Sequence, residues 1–314
     1  MGTHINGGDA VIDVSGLRMR YGSVEAVQGI DLRVMRGEVF AFLGPNGAGK
    51  TTTVEILEGF RRRTGGDVAV LGTDPQEAGP SWRAHIGVVL QESAPERDLT
   101  VSECLRLYAG YYPAPRSVEE TLALVGLTNR AGATASRLSG GQRRRLDVAL
   151  ALIGDPELLF LDEPTTGFDP SARRAAWEMI SGLRALGVTV FLTTHYMDEA
   201  EHLADRVAVI AEGRIVAQGT PGALGGRDRA AMEVRFELPE GVSLDELPQP
   251  VREAVVEQDH ARVLLTATSA VATLGPLIRW AEARGVDLAE LEVRRPSLED
   301  IYLALTATGD ESRS

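Results

Sequence analysis

One stretch restricts this chain more than any other. Gly44-Pro45-Asn46-Gly47-Ala48-Gly49-Lys50-Thr51 has the GxxxxGK[ST] spacing of a phosphate-binding P-loop. Lys50 is the only lysine among 314 residues that otherwise use arginine for every cation. An ammonium on a flexible stem reaches phosphate oxygens as a compact point charge, whereas a guanidinium is a planar, bulkier fork. Residues 38–43 before the loop read as a short buried strand and residues 51–60 after it as a helix, so strand, loop and helix N-terminus stand in the required order. Gly44, Gly47 and Gly49 let the backbone turn tightly and aim its N–H groups inward, and the helix N-terminus adds partial positive charge. Thr51 and Thr52 open that helix, with the Thr51 hydroxyl placed for Mg²⁺.

Two further segments point the same way. Leu158-Leu159-Phe160-Leu161-Asp162-Glu163 is an apolar run ending in two acids, which suits a parallel strand buried on both faces. Its acids emerge at the C-terminal edge, where open α/β sheets bind ligands. Asp162 can there hold Mg²⁺ through water, and Glu163 can orient or deprotonate an attacking water. Leu138-Ser139-Gly140-Gly141-Gln142, followed by residues 143–150, reads as a loop entering a helix N-terminus, a second phosphate-binding end.

From about residue 12 to about residue 222 these motifs resemble the ATP-binding cassette (ABC) ATPases. The resemblance implies an α/β P-loop core with an antiparallel β layer and a helical subdomain. It implies ATP and Mg²⁺ as ligands, and two copies closed head to tail so that Ser139, Gly140, Gly141 and Gln142 of one face the P-loop of the other. On the same resemblance Tyr21 stacks on adenine and Gln91, in Val88-Val89-Leu90-Gln91-Glu92, touches Mg²⁺ and water. Asp169, in Gly167-Phe168-Asp169-Pro170, reaches across the dimer, and Phe168 stands where the family usually has leucine. His195 ends residues 188–195, another strand reaching the same edge, and matches the switch histidine that contacts the γ-phosphate. The chemistry implied is in-line attack of water on the γ-phosphorus, its charge neutralised by Mg²⁺, Lys50, His195 and the partner's Ser139 region.

Composition excludes other classes. A net charge of −13 argues against nonspecific nucleic-acid binding, and Arg61-Arg62-Arg63 and Arg143-Arg144-Arg145 read as solvated or interface faces. The single cysteine, Cys104, rules out an intramolecular disulfide or a cysteine zinc site and reads as a small buried helix residue. No run of about 18 uncharged apolar residues spans a membrane, and the N-terminal residues lack a signal peptide's pattern. The expectation is a cytoplasmic protein, peripheral on the inner membrane face through a separately encoded permease.

Along the chain, residues 1–10 and 309–314 read as flexible tails and residues 11–224 as the nucleotide-binding domain. Its sheet is expected from strands around residues 38, 68, 86, 158 and 189, with residues 11–34 supplying the antiparallel layer. A helical subdomain is expected over about 93–153, with Thr100 and Glu103 in capping-box spacing. In the resembling transporters that insert and the segment after Gln91 cradle a helix of the membrane subunit. Pro221-Gly222-Ala223-Leu224-Gly225-Gly226 marks a boundary, and residues 228–308 read as a small accessory α+β domain, acidic overall. Residues 232–238, 262–267 and 288–294 read as its strands and 272–284 as a helix. Its ending, Pro296-Ser297-Leu298-Glu299-Asp300, reads as a capped helix and resembles the tail of daunorubicin-resistance-type drug-export ATPases. The alternative is that the tail only covers apolar surface or stabilises a dimer. The function expected is a bacterial ABC exporter's ATPase subunit of multidrug or antibiotic type. An importer subunit is the runner-up, then a soluble ABC ATPase; a P-loop kinase would have no use for the Leu-Ser-Gly-Gly-Gln segment.

Overall fold

The computed structural model describes residues 9–90, 96–226, 231–239, 241–267, 269–294 and 297–307. Two compact units divide between Pro221 and Gly222.

The first unit begins with an antiparallel sheet. Strands β1 (Ala10–Tyr21) and β2 (Val24–Met35) form a long hairpin, and Ala10, expected in a flexible tail, already pairs with Met35. Next come β3 (Val39–Leu43), α1 (Lys50–Leu57) and β4 (Gly65–Val70). Strand β4 pairs with β1, from Ile12 opposite Val70 to Arg18 opposite Gly65. The strand at residue 68 therefore belongs to the antiparallel layer and not to the nucleotide-binding sheet. Its alternating exposure, with Val68 and Val70 buried and Asp67 exposed, is that of a half-covered sheet.

The second sheet adds α2 (Pro80–Arg83), β5 (Ile86–Val89), α3 (Val101–Ala109), α4 (Val118–Leu124), α5 (Gly140–Leu152), β6 (Leu158–Asp162), α6 (Pro170–Ala185), β7 (Thr189–Thr194), α7 (Met197–Leu203), β8 (Arg206–Ala211) and β9 (Arg214–Gly219). Its strand order is β5-β6-β7-β3-β8-β9, parallel except for the β8/β9 hairpin. All residues of β3 and β7 are buried, as the apolar runs required of strands covered on both faces. Phe40, Phe42 and Phe160 gather round Phe191 at centroid distances of 5.6–5.8 Å. Parallel order brings the C-terminal ends of β3, β6 and β7 to one edge.

Helices α3–α5 form the expected insert. Thr100 and Glu103 make the capping box at the start of α3, Ser117 caps α4, and Cys104 is buried in α3. Among the described residues no helix is long and apolar enough to cross a membrane.

The second unit is an antiparallel sheet with helices. It contains β10 (Met232–Glu237), α8 (Gln249–Arg252), β11 (Val255–Asp259), β12 (Arg262–Ala267), α9 (Ala270–Arg284), β13 (Ala289–Arg294) and α10 (Leu298–Ala307), in sheet order β11-β12-β10-β13. Strand β11 has no counterpart in the sequence reading, because its exposed Val256, Glu257, Gln258 and Asp259 leave no apolar alternation to detect. The core gathers Val234, Phe236, Val251, Val263, Leu265 and Leu277. Ser297 and Asp300 exchange capping hydrogen bonds at the start of α10.

Candidate functional site

The loop between β3 and α1 has the backbone that its glycines foretold. Gly47 and Gly49 have φ of +81° and +104°, in the left-handed region. A Cβ on Gly49 would stand 2.6 Å from the Ala26 carbonyl, and one on Gly44 would stand 2.4 Å from that of Ile210. Lys50 is buried and its ammonium donates to the carbonyls of Gly44 (2.7 Å) and Pro45 (3.1 Å). Burial pushes its pKa down, against the opposing pull of Glu163 and Asp162. A cavity of about 360 Å³ is lined by Ala26, Asn46, Gly47, Gly49, Lys50, Thr51 and Thr52, and by Asp162 and Glu163.

The two acids are held differently. Asp162 Oδ1 accepts a 2.5 Å hydrogen bond from the Thr193 hydroxyl on β7. Glu163 stands in the left-handed region at φ +46°, just past β6, with its N–H donating to the Thr193 carbonyl. Its carboxylate accepts from the Thr166 hydroxyl (3.1 Å) and lies 3.2 Å from His195 Nδ1. A side chain in an unfavourable backbone region, fixed on both oxygens, is held there by its surroundings.

The remaining expected residues are not among those lining that cavity, although Tyr21 and Pro45 touch residues that are. Tyr21 ends β1 with its hydroxyl 3.4 Å from Thr52 Oγ1 and the Arg61 guanidinium over its ring at 5.2 Å. Ser139 and Gly140 are exposed, and Ser139 and Gln142 cap α5 reciprocally. Gly141 adjoins Ala172, the nearest atom to a Cβ built there. Asp169 caps α6, accepting from the Ser171 and Ala172 N–H groups at 2.9 Å. Pro45 accepts the Ala48 N–H, closing the loop. Gln91 lies outside the described residues.

Other residues enter that the sequence reading missed. Arg144, taken as part of a solvated or interface face, instead donates to the carbonyls of Leu90, Asp162 (2.7 Å) and Pro164 (3.3 Å). Arg63 likewise holds Asp74 with two bonds of 2.7 and 2.8 Å. Glu199 on α7 is fully buried and accepts from Thr165 (2.8 Å) and Trp177 (3.2 Å). It thereby braces the segment after Glu163 against α6 and α7. Burial pushes its pKa up, and the hydroxyls of Thr194 and Thr165 and the Trp177 indole pull it back. No sequence signal separates Glu199 from the solvent-facing acids beside it.

The ABC transporter family profile matches residues 27–166, and a profile for the C-terminal domain of ABC transporter domain-containing proteins matches residues 233–297. The chain is 37% identical over 313 residues to daunorubicin resistance ATP-binding protein DrrA3 of Streptomyces coeruleorubidus, covering 97% of this chain and 98% of that protein. It belongs to the ABC transporter ATP-binding family. The cassette is also 45% identical over 217 residues to the Nod factor export ATP-binding protein I of Cupriavidus pinatubonensis, covering 68% of this chain and 67% of that one. Among solved structures it resembles cbiO1 of Clostridium perfringens, part of the ABC transporter complex cbiONQ, with TM-score 0.64 and 28% identity over 68% of this chain and 90% of that one. The ADP conformation of the cassette MJ1267 gives TM-score 0.60 and 25% identity, covering 67% of this chain and 91% of that chain. The cassette is an ATPase that binds nucleotide.

The cavity fits the nucleotide and metal of this family. Glycines stand where a Cβ would strike backbone, and an ammonium, two hydroxyls and two carboxylates face one space. One carboxylate and one hydroxyl suffice for Mg²⁺, which keeps waters and phosphate oxygens for its other positions.

Proposed function

We propose that this chain is the ATP-hydrolysing subunit of a bacterial ABC exporter of multidrug or antibiotic type. It works as a head-to-tail homodimer on the inner face of the plasma membrane and drives efflux through separately encoded membrane subunits. The similarity to a daunorubicin resistance ATP-binding protein over nearly the full length of both chains, accessory domain included, carries the exporter reading.

The residues divide the work. Backbone N–H groups from Gly44 to Thr52 cradle the phosphates, and Lys50 turns its ammonium from the Gly44 and Pro45 carbonyls toward phosphate oxygens. Thr51, Asp162 and Gln91 would hold Mg²⁺, which would supply positive charge against that of the phosphates. Glu163 takes the proton of the attacking water as the new O–P bond forms and the bond to ADP breaks. His195 beside it contacts the γ-phosphate, and Tyr21 stacks on adenine. Ser139, Gly140, Gly141, Gln142 and Asp169 are not among the residues lining their own chain's cavity, and they complete the site of a second copy.

Glu163→Gln is expected to lower ATP turnover by about 10²–10⁴-fold, the usual share of a general base, while ATP binding persists and dimer accumulates with Mg-ATP. Normal hydrolysis by that variant would remove Glu163 as the base. Tagged Glu163→Gln chain with Mg-ATP is expected to recover a polytopic protein from native-host membranes. Recovery of ribosomes instead would transfer the chain to the soluble class.

A further inference from the structure

Thr193 divides its one hydroxyl between the two acids of the ATP site. Strands β6 and β7 run parallel with Asp162 opposite Thr193, so both side chains leave the sheet on one face. Thr193 is 1% exposed, and its neighbour on the other side is Phe42 of β3, which has no polar side-chain group to offer. A hydroxyl buried there costs free energy unless it is bonded. It is bonded twice, donating to Asp162 Oδ1 (2.5 Å) and accepting the Glu163 N–H (3.1 Å). Valine has the same shape and suits a strand that is buried throughout, so what the hydroxyl adds is these two contacts.

The bond to Asp162 decides how many oxygens that residue can offer. Oδ1 is taken by Thr193, and Arg144 holds the Asp162 carbonyl at 2.7 Å, so the residue is anchored at both ends. Glu163, the other carboxylate lining the cavity, has Oε2 accepting from Thr166 (3.1 Å) and Oε1 3.2 Å from His195 Nδ1. Of these two carboxylates, only Asp162 Oδ2 is left without a partner among the described residues. Glu58, at the end of α1 and 4% exposed, is the other acid near Asp162; burial, followed by the charges of Asp162 and Glu55, pushes its pKa up to about 8, so it adds little negative charge at neutral pH. The cavity therefore presents a metal with one free carboxylate oxygen. Mg²⁺ is octahedral and fills its remaining positions with water and phosphate oxygens. Ca²⁺ is larger, gathers about six to eight oxygens and can grip a carboxylate through both of its own. Asp162 cannot be gripped that way while Oδ1 accepts from Thr193.

We infer that Thr193 sets the metal preference of the ATPase: by holding Asp162 Oδ1 it leaves a one-oxygen ligand that suits Mg²⁺ and disfavours Ca²⁺. The inference rests on the reading of Asp162 as a metal ligand and adds to it the residue that orients that ligand. Thr193 is a positioning residue, because it acts through Asp162. Its second bond joins the same strand to the proposed base. The Glu163 N–H, in a residue at φ +46°, donates to both the hydroxyl and the carbonyl of Thr193. Removing the hydroxyl therefore leaves the carbonyl bond to seat Glu163, and the change falls on Asp162.

The test titrates a fluorescent, non-hydrolysable ATP analogue into the full-length chain with Mg²⁺, with Ca²⁺ and with EDTA. Wild type is expected to bind it more tightly with Mg²⁺ than with Ca²⁺. Thr193→Val is expected to narrow that ratio of Kd values about tenfold, the effect of losing an outer partner that orients a metal ligand. The free analogue binds each metal identically in every titration, so a change in the ratio reports the protein. Thr193→Ser keeps the hydroxyl and is expected to restore the wild-type ratio. Thr193→Ala also lacks the hydroxyl and is read as Thr193→Val is, so either one suffices if the other does not fold. An unchanged ratio in the hydroxyl-free variants, or equal weakening with both metals, overturns the inference, as does a Thr193→Ser ratio that matches Thr193→Val. Asp162→Asn tests the underlying reading separately: the advantage of Mg²⁺ over EDTA should shrink there, and an advantage equal to that of wild type counts against Asp162 as a metal ligand.

Discussion

Single side chains here show how far chemistry can be read from type and spacing. Lys50 is held between two loop carbonyls in a cavity with two acids, and Lys50→Ala removes the only ammonium there. Nucleotide binding is expected to fall below detection in a fluorescent-ATP titration, and retained binding would overturn the P-loop assignment. Glu58 gives a pH signature. Its folded pKa, about 8, lies above the ordinary carboxyl value of 4.5, so the folded state holds the proton longer than the unfolded one. Its contribution is therefore intact below about pH 4.5 and is lost as pH rises toward 8, at about 1.4 kcal/mol per unit as an upper bound. Denaturant melts of nucleotide-free protein should show Glu58→Gln gaining on wild type between pH 5 and pH 8; parallel curves would place Glu58 in water. Lys50, Asp162 and Glu163 were legible because fixed spacing tied each to a loop or strand end. Glu58, Arg144 and Glu199 were not, because a charged residue in a helical stretch reads as solvent-facing until the fold buries it.

Elements were legible wherever burial was uniform. The apolar runs of β3, β6 and β7 announced parallel strands, and Thr100 with Glu103 announced the start of α3. Strand β4 was assigned to the wrong sheet because a six-residue pattern gives a strand without its neighbour, which β1 supplies. Helix α5 shows how elements are joined, since Arg144 ties it to the end of β6 and to Leu90 after β5. Arg144→Ala is expected to destabilise the first unit by about 1 kcal/mol, the cost of leaving partly buried carbonyls unpaired, and to lower ATPase activity. A melt unchanged within about 0.5 kcal/mol would mean that these bonds exchange freely with water.

At the scale of the molecule, two units with separate cores predict separable stability. Calorimetry should resolve two transitions, and Mg-ATP should raise only one, by about 2.7 kcal/mol at a hundredfold excess over Kd. One transition, shifting as a whole, would show the units to be energetically fused. The capping of α5 and α6 has a further consequence. Ser139 and Asp169 are kept in shape by the helices they cap, so if two copies pair as proposed each is made with its half of the neighbour's site already displayed. On the proposed pairing, output then follows the second power of the chain's abundance when copies are scarce. A cell that halves expression loses about three quarters of its efflux, and a dead copy poisons a live one.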